Sequence, residues 1–229
     1  MLAFGVSVIN RQGSAAIINE MGELIAEKKI ETNNSLSISL VPTISTLLKE
    51  NSVKVDDINL LAITNGPGSF TSLRIGLAAM KGLFFGSNAK QYGISSLKVI
   101  AANVLVKDGI VIPMIDAKKA EIYCGVFKVQ NNQIEVVRND YAASPEETIP
   151  ELMNRYPDAY FIGDGYEKYQ NLFPTKPHTV ALKNSSIAYE VAKFGLYEFH
   201  KKKKDQNKLS LNYCRKSEAE VNKNITVDV

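Results

Sequence analysis

The stretch Asn65-Gly66-Pro67-Gly68-Ser69-Phe70-Thr71-Ser72-Leu73-Arg74 gathers residue types that can do chemistry at close spacing. Gly66, Pro67 and Gly68 make a turn, because Pro presets one φ and glycine accepts backbone angles that other residues resist. Ser69 is placed to cap a following helix, its hydroxyl accepting from N–H groups of the first turn. A turn of this kind could hold an anion on free N–H groups, or it could simply join strand to helix. It is not a P-loop, since no Gly-Lys-Ser/Thr follows. It is not a dinucleotide fingerprint either, since no third glycine stands three residues on. Asp116 and Glu121 could form an acid/base pair, but nothing in the sequence fixes their separation. No Ser-His-Asp, Cys-His or HExxH arrangement is visible. The histidines, His178 and His200, and the cysteines, Cys124 and Cys214, lack metal-ligand spacing, so no metal is expected.

The elements that must position this stretch follow from hydrophobic patterning. Leu2 to Val8, Ser14 to Asn19 and Leu24 to Ile30 read as strands, joined by turns at Arg11-Gln12-Gly13 and Met21-Gly22. That is an antiparallel meander. Leu36, Leu40, Ile44, Leu47 and Leu48 form a helical stripe. Pro42 lies early in it, and a start near Val41 would place Pro in the first turn, where it is tolerated. Asp57 to Ile63 is a fourth strand, and the helix after the turn runs to about Gly86. Gln91 to Ile94 is a strand, and Ser96 caps a helix from Leu97 to about Val106. The order then restarts at Gly109. Ile110 to Ile115, Ile122 to Val129 and Ile134 to Val137 are strands, with a turn at Asn131-Asn132. A helix begins at Ser144-Pro145, with Ser144 as cap. Ala159 to Ile162 is a strand, Gly163-Asp164-Gly165 a turn, and a helix from Ser185 or Ser186 reaches about Lys203. This is a two-lobe α/β chain, residues 1–107 and 108–229, the last segment packing back on the first lobe.

The chain has 229 residues, 45% hydrophobic and 22% charged, which suits a globular protein. Its net charge of +3 is too small to argue for nucleic acid. No apolar run reaches membrane-spanning length. Met1 to Asn10 has no basic n-region, so a cytoplasmic location is expected and the thiols should be free.

The string GPGSFTSLRIG followed by LAAMKGLFFG resembles the signature of the TsaB (YeaZ) family, which usually reads GPGSFTGLRIG-x-A-x-x-KGL. Ser72 departs from it, standing where Gly is usual. IPMIDAKKAE, from Ile112 to Glu121, looks like the family's second-lobe start. Leu211 to Ser217 resembles its terminal PxYLR segment, and Glu218 to Asn224 is a following helix or a tail. Most members open with a strand ending in Asp-Thr, a remnant of a phosphate-binding loop, where this chain has Gly5 and Val6.

The resemblance implies a fold of two ribonuclease-H-like lobes of the actin, Hsp70 and sugar-kinase (ASKHA) type. It implies a non-catalytic subunit that pairs with TsaD and TsaE. Together they form the threonylcarbamoyl group on the adenosine next to the anticodon of tRNAs reading codons that begin with A. The ATP is used by the complex, and no cofactor is bound by this chain alone. The HxxxH metal helix of TsaD has no counterpart here. The partner surface implied is the helix from Val41 to Glu50 beside the helix from Phe70 to Gly86. Its residues are Leu40, Ile44, Leu47, Thr71, Arg74, Ile75, Ala78, Ala79, Gly82 and Gly86, with Gly66, Pro67, Gly68 and Ser69 as the motif loop. In isolation the same helices would pair two copies of the chain. On the residues alone, the small-residue face could equally pack internally. Arg74 could meet a partner's acid, a phosphate or a local group. His200 to Lys204 is either a solvated helix end, favoured by the dipole, or a contact to tRNA phosphate. A small-molecule kinase or ATPase of the same fold class is the competing reading.

Overall fold

The computed structural model describes residues 1–9, 13–31, 35–131, 133–178, 180–201 and 209–214. The turn expected at Arg11-Gln12, Asn132, Lys202 to Lys204 of the basic run, and everything from Arg215 onward lie outside these residues.

Strands β1 (Leu2–Ser7), β2 (Gly13–Asn19) and β3 (Leu24–Ile30) form the antiparallel meander. Alternation in β1 sends Phe4 and Val6 to one face of the sheet and Ala3 and Gly5 to the other. Helix α1 (Leu36–Glu50) then returns the chain to β4 (Ile58–Gly66), which pairs parallel with β1. Helix α2 (Phe70–Leu83) leads to β5 (Lys90–Ser95), parallel to β4, and the sheet order is β3-β2-β1-β4-β5. Leu40, Ile44 and Leu47 of α1 and Leu73, Leu77 and Met80 of α2 share one core with Phe4, Val6 and Ile17. The two helices therefore lie side by side on a single face of the sheet.

Helix α3 (Ser96–Ala102) opens the second half. Strands β6 (Asp108–Lys118), β7 (Glu121–Gln130) and β8 (Gln133–Ala143) form a second antiparallel meander, and β9 (Tyr160–Ile162) joins β6 in parallel. Leu97 and Ala101 of α3 pack with Val111, Ile115 and Phe127 on one face of this sheet. Helix α4 (Pro145–Arg155) brings Ile149 and Leu152 to the other, with Ile112, Met114 and Cys124. After the short α5 (Asp164–Lys168), α6 (Ile187–His200) crosses back. Its Val191, Ala192 and Leu196 cover the open face of the first sheet, over Ala3, Ile18, Leu60 and Ala62.

Several boundaries differ from the sequence expectation, each for a physical reason. Helix α1 starts at Leu36 rather than Val41, with Pro42 inside it on the exposed side, where solvent can serve the carbonyl that Pro leaves without a donor. Helix α2 ends at Leu83, and the chain leaves it through Gly86 at φ 79°. Helix α3 stops at Ala102 because Val104 is taken by a β-bridge to Leu182. Its cap is Ser95, whose Oγ accepts from the Lys98 N–H at 3.1 Å, while Ser96 is the first helical residue. Ser144 precedes α4 but makes no cap bond; its hydroxyl donates to Glu146 Oε2 at 2.8 Å. Strand β8 continues to Ala143 because its pairing with β7 resumes after each bulge. Ser186 caps α6 by accepting from Tyr189 N–H at 3.4 Å.

Candidate partner interface

The motif loop forms where β4 runs out. Gly66 has φ 120°, a left-handed value that favours glycine, and a Cβ there would lie 2.6 Å from the Asn212 carbonyl oxygen. Pro67 follows through a cis peptide bond. Ser69 caps α2, its Oγ accepting from the Ser72 N–H at 3.4 Å and from the Ser72 hydroxyl at 3.1 Å. The Ser72 side chain therefore adds a second donor to the cap.

Along α2 the buried side is Ser72, Leu73, Gly76, Leu77 and Met80. Thr71, Arg74, Ala78, Gly82 and Gly86 are exposed, while Ile75 and Ala79 are half-buried and touch the core. A Cβ added at Gly82 meets nothing within 4 Å. On α1 the expectation needs correction. Leu40 and Ile44 are 0% and Leu47 is 2% exposed, so all three belong to the core and not to a surface. The face that α1 shows to solvent carries Ile38, 64% exposed, and Val41, 38% exposed. Phe85, just beyond the end of α2, is 91% exposed and was missed. The second Phe of LFFG, falling outside the stripe that buries Phe84, is the signal that could have found it. These apolar side chains on and next to one helix pair are what an occupied interface would cover.

Residues 209–214 run against the loop. The Asn212 N–H donates to the Asn65 carbonyl at 2.8 Å, and Asn65 Nδ2 donates to the Ser210 carbonyl at 3.0 Å. Leu209 is buried in the core that also holds Leu73 and Leu77. The Tyr213 ring lies 5.3 Å from that of Phe70, and Arg74 stacks 3.8 Å above Phe70 while its Nε donates to the Tyr213 hydroxyl at 3.4 Å. Arg74 is thus held by a local partner and remains exposed. Asn212 Nδ2 also donates to Asp140 Oδ2 at 3.2 Å, and the Ser95 hydroxyl donates to the same oxygen at 2.6 Å. Burial pushes the Asp140 carboxyl above its ordinary value, with both hydrogen bonds acting against the rise. Burial and the neighbouring Asp140 charge push the Cys214 thiol up to about 11.

Asp116 and Glu121 do not make a free acid/base pair. Asp116 Oδ2 accepts from Lys118 Nζ at 2.6 Å and Oδ1 from Lys168 Nζ at 2.9 Å. Burial pulls its carboxyl upward, but the hydrogen bonds from Lys118 and Lys168 outweigh this and hold it below the usual carboxylate range. Such a group keeps no proton to donate near neutral pH. Glu121 stands opposite Lys118 in the backbone register of β6 and β7.

The space beside Gly5 is equally occupied. Gly5 lies under α6, and a Cβ there would collide with the Ala188 carbonyl and sit 2.7 Å from Ala192 N and 2.8 Å from its Cβ. Among the described residues, no three His, Cys, Asp or Glu side chains gather as a metal site. No helix among them is long and apolar enough to cross a membrane.

The family described as TsaD, tRNA N6-adenosine threonylcarbamoyltransferase, matches residues 30–223 of this chain. The chain belongs to this family, in its TsaB (YeaZ) branch. A TsaB relative, the tRNA threonylcarbamoyladenosine biosynthesis protein of Bacillus subtilis, is 26% identical over 163 residues, 71% of each chain. The structure of YeaZ from Pseudomonas aeruginosa superposes with a TM-score of 0.78 at 20% identity, covering 93% of this chain and 99% of that one. Component A of the (R)-2-hydroxyglutaryl-CoA dehydratase of Acidaminococcus fermentans matches more distantly, with a TM-score of 0.51 at 13% identity over 86% and 98% of the two chains. The expected α/β fold, two ribonuclease-H-like lobes of the ASKHA type, is the fold observed. In this chain the Ser72 hydroxyl adds to the α2 cap, and Gly5 lets α6 settle on β1.

Proposed function

We propose that this chain is the non-catalytic subunit that pairs with TsaD, and through it with TsaE, in forming the threonylcarbamoyl group on the adenosine next to the anticodon of tRNAs reading codons that begin with A. The observation that carries this reading is the outer face of α1 and α2. It sits within and beside the family signature, exposes Ile38, Val41 and Phe85, and leaves the surface over Gly82 open. Apolar side chains and small residues together suit close approach by another helix pair. In isolation the same face pairs two copies of the chain. The complex spends ATP and contacts tRNA; this chain holds no nucleotide of its own, since Gly5 is covered by α6 and Asp116 is neutralised by two lysines.

The test is co-purification with the TsaD of the same organism, next to calorimetric titration of the isolated chain with Mg-ATP. A stable TsaD complex and no heat of nucleotide binding are expected. Micromolar ATP binding by the chain alone, with no TsaD complex, would instead support a small-molecule kinase or ATPase.

A further inference from the structure

Asn65, Ser95, Asp140 and Asn212 come from four separate parts of the chain and meet at one point. Asn65 is the last residue but one of β4, Ser95 caps α3, Asp140 lies on β8 of the other sheet, and Asn212 belongs to residues 209–214. The meeting is built rather than incidental. Gly93 on β5 leaves room for the Asn65 amide, which would otherwise lie 2.5 Å from a Cβ. Gly66 leaves room for the Asn212 carbonyl, 2.6 Å from where a Cβ would sit. Asp140 Oδ2 accepts both from the Ser95 hydroxyl at 2.6 Å and from Asn212 Nδ2 at 3.2 Å. Immediately beyond Asn212, Tyr213 stacks on Phe70 and receives Arg74. One carboxylate on the second sheet therefore bears on the first turn of α2.

We propose that residues 209–214 are a clip that presents the N-terminal turn of α2 to the partner, with Asp140 as the positioning residue that holds the clip in register. This rests on the reading of α1 and α2 as the TsaD face, and it adds a control point on that face which no contact with the partner itself requires. Asp140 acts on the clip through Asn212 and Ser95. Without its oxygen, two donors lose their acceptor and the second sheet loses its hold on residues 210–213. Phe70, Thr71 and Arg74 are then free to move as a group.

The test uses the full chain carrying Asp140→Ala, Asp140→Asn or Asn212→Ala, with Gly82→Arg for comparison. Amide hydrogen exchange of residues 64–74 is read in the free chain, and the dissociation constant for TsaD is read separately. Asp140→Ala and Asn212→Ala should speed exchange there by on the order of tenfold, as expected for losing a hydrogen bond to a charged group, and weaken TsaD binding several-fold. Asp140→Asn should restore both, because the amide oxygen still accepts from Ser95 and Asn212. A merely structural role for the carboxylate would slow or speed exchange across the whole protein and would not be rescued. Should Asp140→Ala fail to fold, Asn212→Ala decides. Unchanged exchange at residues 64–74 in a folded variant overturns the clip. Faster exchange there with unchanged TsaD affinity, while Gly82→Arg abolishes the complex, overturns its role in presentation but leaves the interface standing. If Gly82→Arg also binds normally, the interface itself is misplaced and the proposal falls with it.

Discussion

Gly82→Arg is expected to leave the chain folded, and slightly more stable, while abolishing its complex with TsaD. Gly82 sits in the last turn of α2 with open space above it, so the new side chain meets no neighbour. Replacing glycine inside a helix by a good helix former is worth about 1 kcal/mol. For a chain of this size that corresponds to a rise of roughly 2–4 °C in melting temperature. In the complex the guanidinium would be trapped against an apolar surface. Burying an unpaired charge costs at least several kcal/mol, and a loss of about 3 kcal/mol already weakens binding more than a hundredfold. Stability and association should therefore move in opposite directions, which a generally damaging substitution cannot achieve. Thermal melting beside size-exclusion chromatography with TsaD checks this. Co-elution of the folded variant would place the interface elsewhere.

Gly5→Asp, which places an acid where the family resemblance implies one, is expected to destabilise the protein strongly instead of making it bind nucleotide. Gly5 lies against the first turns of α6, where a Cβ would collide with the Ala188 carbonyl and crowd Ala192. The obstruction is backbone, so no rotamer change relieves it. Overpacking of this kind costs about 1–3 kcal/mol, and an unpaired carboxylate at a buried site adds several more. A combined loss of about 4 kcal/mol is a large share of the roughly 5–15 kcal/mol that holds a domain together. It should lower the melting temperature by roughly 8–16 °C. Gly5→Ala separates the two contributions, since it carries the Cβ without the charge. A Gly5→Asp chain as stable as its parent that binds Mg-ATP would show that only the carboxylate was missing.

What could be read from the sequence was local. The meander of β1 to β3, the turn at Gly66-Pro67-Gly68, the Ser69 cap and the inner face of α2 all follow from residues a few positions apart. The surface of α1 was read the wrong way round for an equally local reason. Leu40, Ile44 and Leu47 form the visible stripe because they are the side that packs on the sheet, and the outer side, with Ile38 and Val41, has no periodicity that marks it. Ser95 and Ser96 are neighbours of one type, and only the backbone decides which is the cap. The junction of Asn65, Asp140 and Asn212 was illegible because its contacts join residues 72 and 145 positions apart. No spacing rule connects such residues. That Gly5 is empty of side chain was plain, but the helix that fills its place comes from the far end of the chain.

That last placement also governs how the protein is made. The five strands of the first sheet are all complete by Ser95, yet α6, which covers one of its faces, begins only at Ile187. A ribosome adding about 5–20 residues per second needs several seconds to translate the intervening stretch. Throughout that interval Ala3, Ile18, Leu60 and Ala62 form an apolar surface with nothing yet synthesised to cover it. The nascent first half is thus a natural client for a holding chaperone. Fragments that end before α6 should emerge from cells as aggregates even though their sheet is fully specified, and supplying α6 as a separate peptide during refolding should return them to solution.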